Sequence, residues 1–580
     1  MRRSAFLFAL LAVFLLTATI ALAEYGTWED IYDGAPGMPP GLSNTSFMAI
    51  AVGSENNLYT VGMAQTGALD VEYGWASKDG GYTFSPVVDF HGGSDPCDML
   101  MLFQMMFEVH AIGPDTAIFA GMGPQPECLE QYEDPLCMFV CMFTMTPVML
   151  YTDDGGATMQ RATQPLNIMK IPTCMDFAED EPLVGFVGGA EALLLKTEDG
   201  GVSWADSPRP SDAFSPNDVN FVTTQVGYTV SGDMEPEADD DSWVEDKSEP
   251  EAGSPEAAQQ AYAFGIHRWR YLHDAVYRLN FQAEHPDAKR GMNGMMYKTT
   301  DGGQTWQMLL SEPYESFLFL HMVNEQVGWM VSEPRPTEWP PFKLYKTTDG
   351  GENWTDYTSR VPYEQLDAQG LAYAISAISF SPSGQTGFLG GGAQKLQYKS
   401  LLFYTVDGGE TWEWDQSLLP WGHPIISFGW LDNHVAWQAG FDLSIYRYEQ
   451  SNTPPVADAG DDQTVAQNTV VTLDGSGSYD PDGDTITYAW EQASGPTAAL
   501  TGADTAQPTF TGTELGDYVF QLTVTDTYPD SSFDQVTITV TEAADDDAAD
   551  DDAADDDAAD DDNDDDVVAD DDDDDSGCGC

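Results

Sequence analysis

From about residue 24 to residue 450, apolar and polar residues alternate with period two in short runs, and Gly, Asn, Asp, Ser or Thr breaks each run. That alternation predicts strands with one buried face, joined by tight turns. Phe221-Val222-Thr223-Thr224-Gln225-Val226-Gly227-Tyr228-Thr229-Val230 reads as strand, polar turn, strand. Val323-Asn324-Glu325-Gln326-Val327-Gly328-Trp329-Met330-Val331 repeats it, and related segments cover 48–62, 109–121, 177–188, 380–390 and 428–440. Seven inner strand pairs are therefore expected. Residues 453–541 alternate as strictly, in Val471-Thr472-Leu473, Ile486-Thr487-Tyr488-Ala489-Trp490, Tyr518-Val519-Phe520-Gln521-Leu522 and Val536-Thr537-Ile538-Thr539-Val540. They predict a β-sandwich of about seven strands with Trp490 in its core. Helical spacing is found at 255–281, where Tyr262, Ile266, Trp269, His273 and Val276 share one face. Arg268, Arg270, Arg278, Lys289 and Arg290 concentrate positive charge there. The preferred reading is a helix lying on the strands with its arginines paired to acids; the other is an anion or partner contact.

An octapeptide follows the strand pairs six times: Ser or Thr, any residue, Asp, Gly, Gly, any residue, Ser/Thr/Asn, then an apolar ring or chain. Its aspartates are Asp79, Asp154, Asp199, Asp301, Asp349 and Asp407. Its last residue is Trp204, Trp306, Trp354 or Trp412 in four copies, with Phe84 and Met159 as looser variants. The hydroxyl and carboxylate can hydrogen-bond turn N–H groups, and the Gly pair takes angles other residues avoid. The final aromatic then buries its ring against a neighbouring strand. The motif resembles the Asp-box, or BNR, repeat of β-propellers. That resemblance implies an all-β, seven-bladed propeller whose boxes are peripheral and structural.

Seven strand pairs meet only six boxes. Gly26-Thr27-Trp28-Glu29 is similar to a box tail and aligns with Gly409-Glu410-Thr411-Trp412-Glu413. The N-terminal strand carrying Trp28 is therefore expected to complete the last blade and close the ring, leaving no open edge; six blades with a stray hairpin is the alternative. The intervals Asp79 to Asp154 and Asp199 to Asp301 are the long ones, so insertions are expected near 93–145 and 233–292. Insertions are where such scaffolds place specificity. The segments of 453–541, with Pro454-Pro455-Val456-Ala457-Asp458-Ala459-Gly460 and Asp480-Pro481-Asp482-Gly483-Asp484, resemble a PKD-type, Ig-like domain, a module that commonly serves as spacer or contact in exported proteins.

The two ends of the chain are of different character. Arg2, Arg3, an apolar run over 6–22 and Ala21-Leu22-Ala23 predict a signal peptide at 1–23. No other stretch is long and apolar enough for a membrane span, so the mature chain is expected without a transmembrane helix. Residues 542–580 are Asp-rich and predicted disordered, ending in Cys578-Gly579-Cys580. Those two cysteines are candidates for attachment; a cation-binding tail with a terminal disulfide is the other reading. Cys97, Cys128, Cys137, Cys141 and Cys174 supply two disulfides and one thiol in an oxidising compartment, with no assignable pairing.

Charge narrows the function. The 580 residues carry 21 Lys+Arg against 97 Asp+Glu, a net charge of −76. Nucleic-acid binding, which rests on clustered cations, is excluded as a function class. Hydrophobic residues at 42% and aromatics at 12% exclude whole-chain disorder. Asp480, Asp482 and Asp484 form a possible Ca²⁺ site, though the pattern falls short of an EF-hand loop, and a turn held by its own carboxylates is the preferred reading. No other cofactor is indicated. The eight histidines are scattered without a metalloprotease or P-loop motif. The expected function is a non-enzymatic binding protein, secreted or on the exterior of a bacterial envelope, taking a protein or glycan ligand on its propeller. The inner-strand and box pattern is similar to photosystem II assembly/stability-factor propellers, which bind protein partners. The alternatives are an Asp-box glycoside hydrolase, using two carboxylates, and a Ca²⁺-dependent matrix protein. Lys170-Ile171-Pro172 is the nearest approach to a sialidase signature, and Arg is scarce in the blades.

Overall fold

The computed structural model describes residues 27–33, 46–65, 71–86, 105–124, 145–165, 170–211, 214–232, 271, 278, 293–334, 338–394, 398–417, 424–440 and 444–543. The predicted signal peptide, Cys97, Cys128, Cys137, Cys141, Cys578, Cys580, the Asp-rich tail from 544 and most of both insertions lie outside them. The chain divides into two compact units: Met1–Asp458 with Gly477–Tyr488 and Thr523–Phe533, and Ala459–Ser476 with Ala489–Leu522 and Asp534–Cys580. No helix among the described residues is long and apolar enough to cross a membrane.

The first unit is built from antiparallel four-stranded sheets, the blades of a propeller. Seven occur among its described residues, here called A (46–86), B (105–161), C (172–206), D (218–313), E (316–356), F (372–414) and G (425–449 with 27–33). Each is an up-and-down meander whose second strand is buried on both faces. Gly185–Gly189 and Gly227–Gly232, both second strands, are buried throughout. The first strand of each blade packs against the first strand of the next, and Ile425–Trp430 of G returns to Ser46–Val52 of A. Blade G is made from both ends of the unit. Thr27–Asp33 pairs antiparallel with Ser444–Glu449, placing Trp28 opposite Tyr448. Trp28 packs on Tyr448 and Phe388 at centroid distances of 5.2 Å each. Pairing the outer strand of G removes the edge that an open array would expose.

Antiparallel meanders put alternate turns at opposite ends. The turn between strands one and two and the box turn between strands three and four share one end. The same bond joins them in every boxed blade: Gly80 N to Asn56 O, Gly155 N to Asp115 O, Gly200 N to Leu183 O, Gly302 N to Gln225 O, Gly350 N to Gln326 O and Gly408 N to Gln385 O, at 2.8–3.0 Å. Loops between strands two and three, and crossings between blades, therefore emerge at the other end. Both long insertions depart there.

Two described residues of the second insertion, Tyr271 and Arg278, are helical and buried. Tyr262, Ile266, Trp269, His273 and Val276, which carry the expected apolar face, and Arg268, Arg270, Lys289 and Arg290 lie outside the described residues. The Tyr271 hydroxyl donates to the buried Glu333 carboxylate, 2.9 Å from Oε2, and the Arg278 guanidinium lies 5.9 Å from the Tyr271 ring.

Within 459–541, Gln463–Ala466, Ser531–Thr541, Gly516–Thr525 and Thr487–Ser494 form one sheet in that order, and Val470–Thr472 pairs with Thr509–Thr511. These are six strands among the described residues, against about seven expected. The opening segment contributes only an isolated bridge, Val456 to Tyr479; Pro454 and Pro455 have no N–H to extend it. Trp490 is buried, with Leu473, Phe510, Phe520 and Ile538 also in the core.

Candidate binding site

The six boxes adopt one geometry. In the copy that begins at Thr347, its Oγ1 donates to Asp349 Oδ1 at 2.9 Å and accepts from Gly351 N at 2.9 Å. Asp349 then accepts from Asn353 N at 2.9 Å and from Asn353 Nδ2 at 2.7 Å. Asp79, Asp154, Asp199, Asp301 and Asp407 repeat the pattern with Thr or Ser as the last partner. The hydrogen bonds from the Thr158 and Thr305 side chains and N–H groups hold Asp154 and Asp301 down at about 2. Trp204 and Trp412 are buried, and Trp306 and Trp354 half-buried. Trp204 and Trp354 each donate Nε1 to their own box glycine carbonyl at 3.1 Å. The Ser/Thr hydroxyl and the Asp carboxylate of each box are thus engaged within their own turn.

The boxes also latch one blade to the next. Tyr228 Oη and Lys298 Nζ of blade D both donate to Gly350 O in the box of E, at 3.1 and 3.0 Å. Lys346 Nζ of E reaches Gly408 O of F at 2.7 Å. Tyr228 and Lys298 are cross-strand partners, as are Trp329 and Lys346, with each ammonium over its ring at 5.1 and 5.0 Å.

A second set of carboxylates lines the axis. Asp176 Oδ2 of C accepts from Phe221 N of D at 2.6 Å, and Asp218 Oδ2 of D accepts from Leu320 N of E at 2.9 Å. Asn220, His321 and Ser427 do the same for Met322, Phe380 and Ile50. Each first strand has one edge facing the axis, and in blades A, D, E and F a side chain from the preceding blade accepts from its N–H groups. Burial pushes Asp176 up to about 8 and Asp218 up to about 7, against those N–H bonds. Burial raises Glu108 well above the carboxylate range, with the charge of Asp218 adding to it. It lowers His110 and His321 to about 4. Such shifts would suit a general acid, but Asp176 and Asp218 are occupied in holding neighbouring strands.

Asp480, Asp482 and Asp484 diverge. Asp480 Oδ1 accepts from the N–H groups of Asp482 and Asp484 within its own turn, at 2.9 and 3.2 Å. Asp482 accepts from Gln450 Nε2 at 2.7 Å and Thr453 N at 2.6 Å. Asp484 meets Asn433 Nδ2 at 2.7 Å and His434 Nε2 at 2.9 Å. Among the described residues no group of three or more His, Cys, Asp or Glu is placed to hold a metal ion. Cys174 is buried in Pro172–Phe177, packed with Val219, Phe221 and Leu194.

One arrangement left open to a ligand among the described residues is a cleft of about 430 Å³ at the insertion end of blade E. Its walls are the loop between the second and third strands, with Glu338 and Trp339, and the crossing to blade F, with Ser359 and Tyr363; Lys343 and Asp356 complete it. Trp339 is 60% exposed. Its Nε1 donates to Asp367 Oδ2 at 2.7 Å and its ring meets Tyr373 nearly edge-on at 5.6 Å. Asp367 is held by the short helix Glu364–Gln369, which buries Leu366 and ends at Gly370 in the left-handed region. Lys343 Nζ is fixed by Glu315 Oε2 at 2.8 Å, with Glu338 at 3.7 Å. Glu315 is buried and also accepts from Tyr345 Oη at 2.9 Å and from Ser332 Oγ. Sequence reasoning passed over this cleft. Its one linear signal is a lone Trp among Pro334, Pro336, Pro340 and Pro341, where a strand pattern breaks.

Residues 459–540 match the family model for the PKD domain of the KIAA0319-like type. The mouse dyslexia-associated protein KIAA0319-like protein is 41% identical over 91 residues, which is 15% of this chain and 9% of the mouse protein. The chain therefore matches less than a tenth of that relative's length. A solved structure described as YCF48 bound to D1 peptide is 13% identical, covering 74% of this chain and 100% of its own, with a TM-score of 0.42. The GH74 xyloglucanase from Xanthomonas campestris is 14% identical, covering 72% and 52%, with a TM-score of 0.39.

Proposed function

We propose that this chain is an exported, surface-attached binding protein without catalytic activity. Its propeller carries the protein or glycan ligand, and its PKD domain spaces the propeller from the point of attachment. One observation carries the reading: the box aspartates and the axial Asp176 and Asp218 are spent on turn and inter-blade N–H groups, while exposed aromatic and polar groups gather at the insertion end. Carboxylates so engaged hold the scaffold rather than move protons. The signal peptide at 1–23 and the Cys-ended acidic tail support export and attachment. The test is a protein and glycan array probed with the full chain, beside a screen of aryl glycosides. Retention of a ligand without glycoside turnover is the expected result. Turnover abolished by one carboxylate substitution would make the chain a hydrolase instead.

A further inference from the structure

The cleft beside Trp339 can be read for the chemistry of its occupant. Its indole is a presented platform: 60% exposed, yet held at its tip by Asp367 and at its edge by Tyr373. A large ring kept rigid in water loses little conformational entropy when something stacks on it. The charge around it is unbalanced. Lys343 is the cation among the described residues lining the cleft, and Glu315 and Glu338 both approach it. Two carboxylates thus meet one ammonium, and Asp356 adds a third on the cleft wall, its Oδ1 accepting from Thr358 N at 2.8 Å. Arg335 lies outside the described residues.

A cation is the occupant that uses both features. An ammonium or guanidinium over an indole face gains from the ring quadrupole, most strongly for Trp, and a nearby carboxylate completes its pairing. The chain's net charge of −76 draws cations toward it and repels polyanions. We propose, building on the binding role above, that this cleft takes a lysine or arginine side chain presented by a segment of a partner protein. The ring stacks on the cation, Asp356 and Glu338 accept its N–H groups, and the exposed Ser359 supplies a hydroxyl to the segment's backbone.

The Asp-rich tail would also attract basic peptides, so the test turns on Trp339 in the full chain. A fluorescein-labelled peptide of alternating Lys and Ser is titrated against wild type, Trp339→Ala and Asp356→Asn by anisotropy, with a lysine-acetylated peptide as control. The expected result is binding that weakens about tenfold in Trp339→Ala, as loss of a cation–π contact implies. It should weaken severalfold in Asp356→Asn and be lost on acetylation. Circular dichroism should show both variants folded, since Trp339 and Asp356 are exposed. Equal binding by wild type and Trp339→Ala would assign the affinity to diffuse acidic charge and overturn the proposal, while leaving the broader binding role intact. Binding of a neutral oligosaccharide that depends on Trp339 would overturn it in favour of a sugar site. If the full chain retained no protein or glycan at all, the broader role would fall with it.

Discussion

The indole Nε1 of Trp437 donates a 3.1 Å hydrogen bond to the carbonyl oxygen of Gly80, joining blade G to the box of blade A across 357 residues. It is the same latch that Tyr228 makes on Gly350, so the seam where the chain meets itself uses the contact found between successive blades. Trp437→Phe should lower unfolding free energy by about 2 kcal/mol, from the unpaired buried carbonyl and the lost ring volume. Urea unfolding measures it. An unchanged midpoint would mean that the seam is held by strand pairing alone.

Gly409 lies against the Trp329 ring. It has φ of +81°, and a Cβ there would stand 2.2 Å from Trp329 Cζ2. At Gly408, with φ of +64°, a Cβ would meet only ordinary contacts, none closer than Gly384 O at 3.5 Å. Gly409→Ala should therefore cost about 3 kcal/mol, combining backbone strain with overpacking, and Gly408→Ala about 1 kcal/mol. Thermal unfolding of the pair separates the two terms. Equal losses would show that backbone angle, not blade contact, selects the second glycine.

The buried Thr347 hydroxyl is the hub of its box. Thr347→Val keeps the shape but leaves Gly351 N without its acceptor, and should cost about 2 kcal/mol. Thr347→Ser keeps the hydroxyl, as Ser77 does in the first box, and should cost about 1 kcal/mol or less. A loss in Thr347→Val no larger than that in Thr347→Ser would show that the hydroxyl contributes no more than the methyl group.

Stability should depend on pH in two windows. Asp154 and Asp301, held at about 2 against an ordinary 3.8, contribute above pH 3.8, and that contribution is lost as pH falls toward 2. Asp176 and Asp218 are raised to about 8 and 7. Their contribution is present below 3.8 and is lost as pH rises through those values. His110 and His321, lowered to about 4, oppose this below their ordinary 6.5. The net fall should thus be steepest between pH 6.5 and 8. Asp176→Asn keeps an acceptor for Phe221 N without a titrating charge. Its thermal midpoint should fall less over that window than wild type's; an equal fall would remove Asp176 as a cause.

Much of the propeller was legible because its repeat is local. A hydroxyl, a carboxylate and two glycines within one octapeptide determine a turn whose hydrogen bonds close on themselves, so Asp79 or Asp407 could be assigned a structural role from sequence. Trp28 was legible because its segment resembles a box tail. The PKD strands were legible from strict alternation around Trp490. Three things were decided only by tertiary structure. Asp176 and Asp218 read as ordinary strand acids, and their task appears only when the next blade brings Phe221 and Leu320 within reach. The partner of the buried Tyr271 hydroxyl is Glu333, which is distant in sequence. The Trp339 cleft joins an inter-strand loop to an inter-blade crossing, with Asp367 fixing the ring from a separate helix. Local hydrogen bonding and periodicity are written along the chain. The partners of a side chain that crosses between blades are set by how the ring packs, and no spacing in the sequence encodes them.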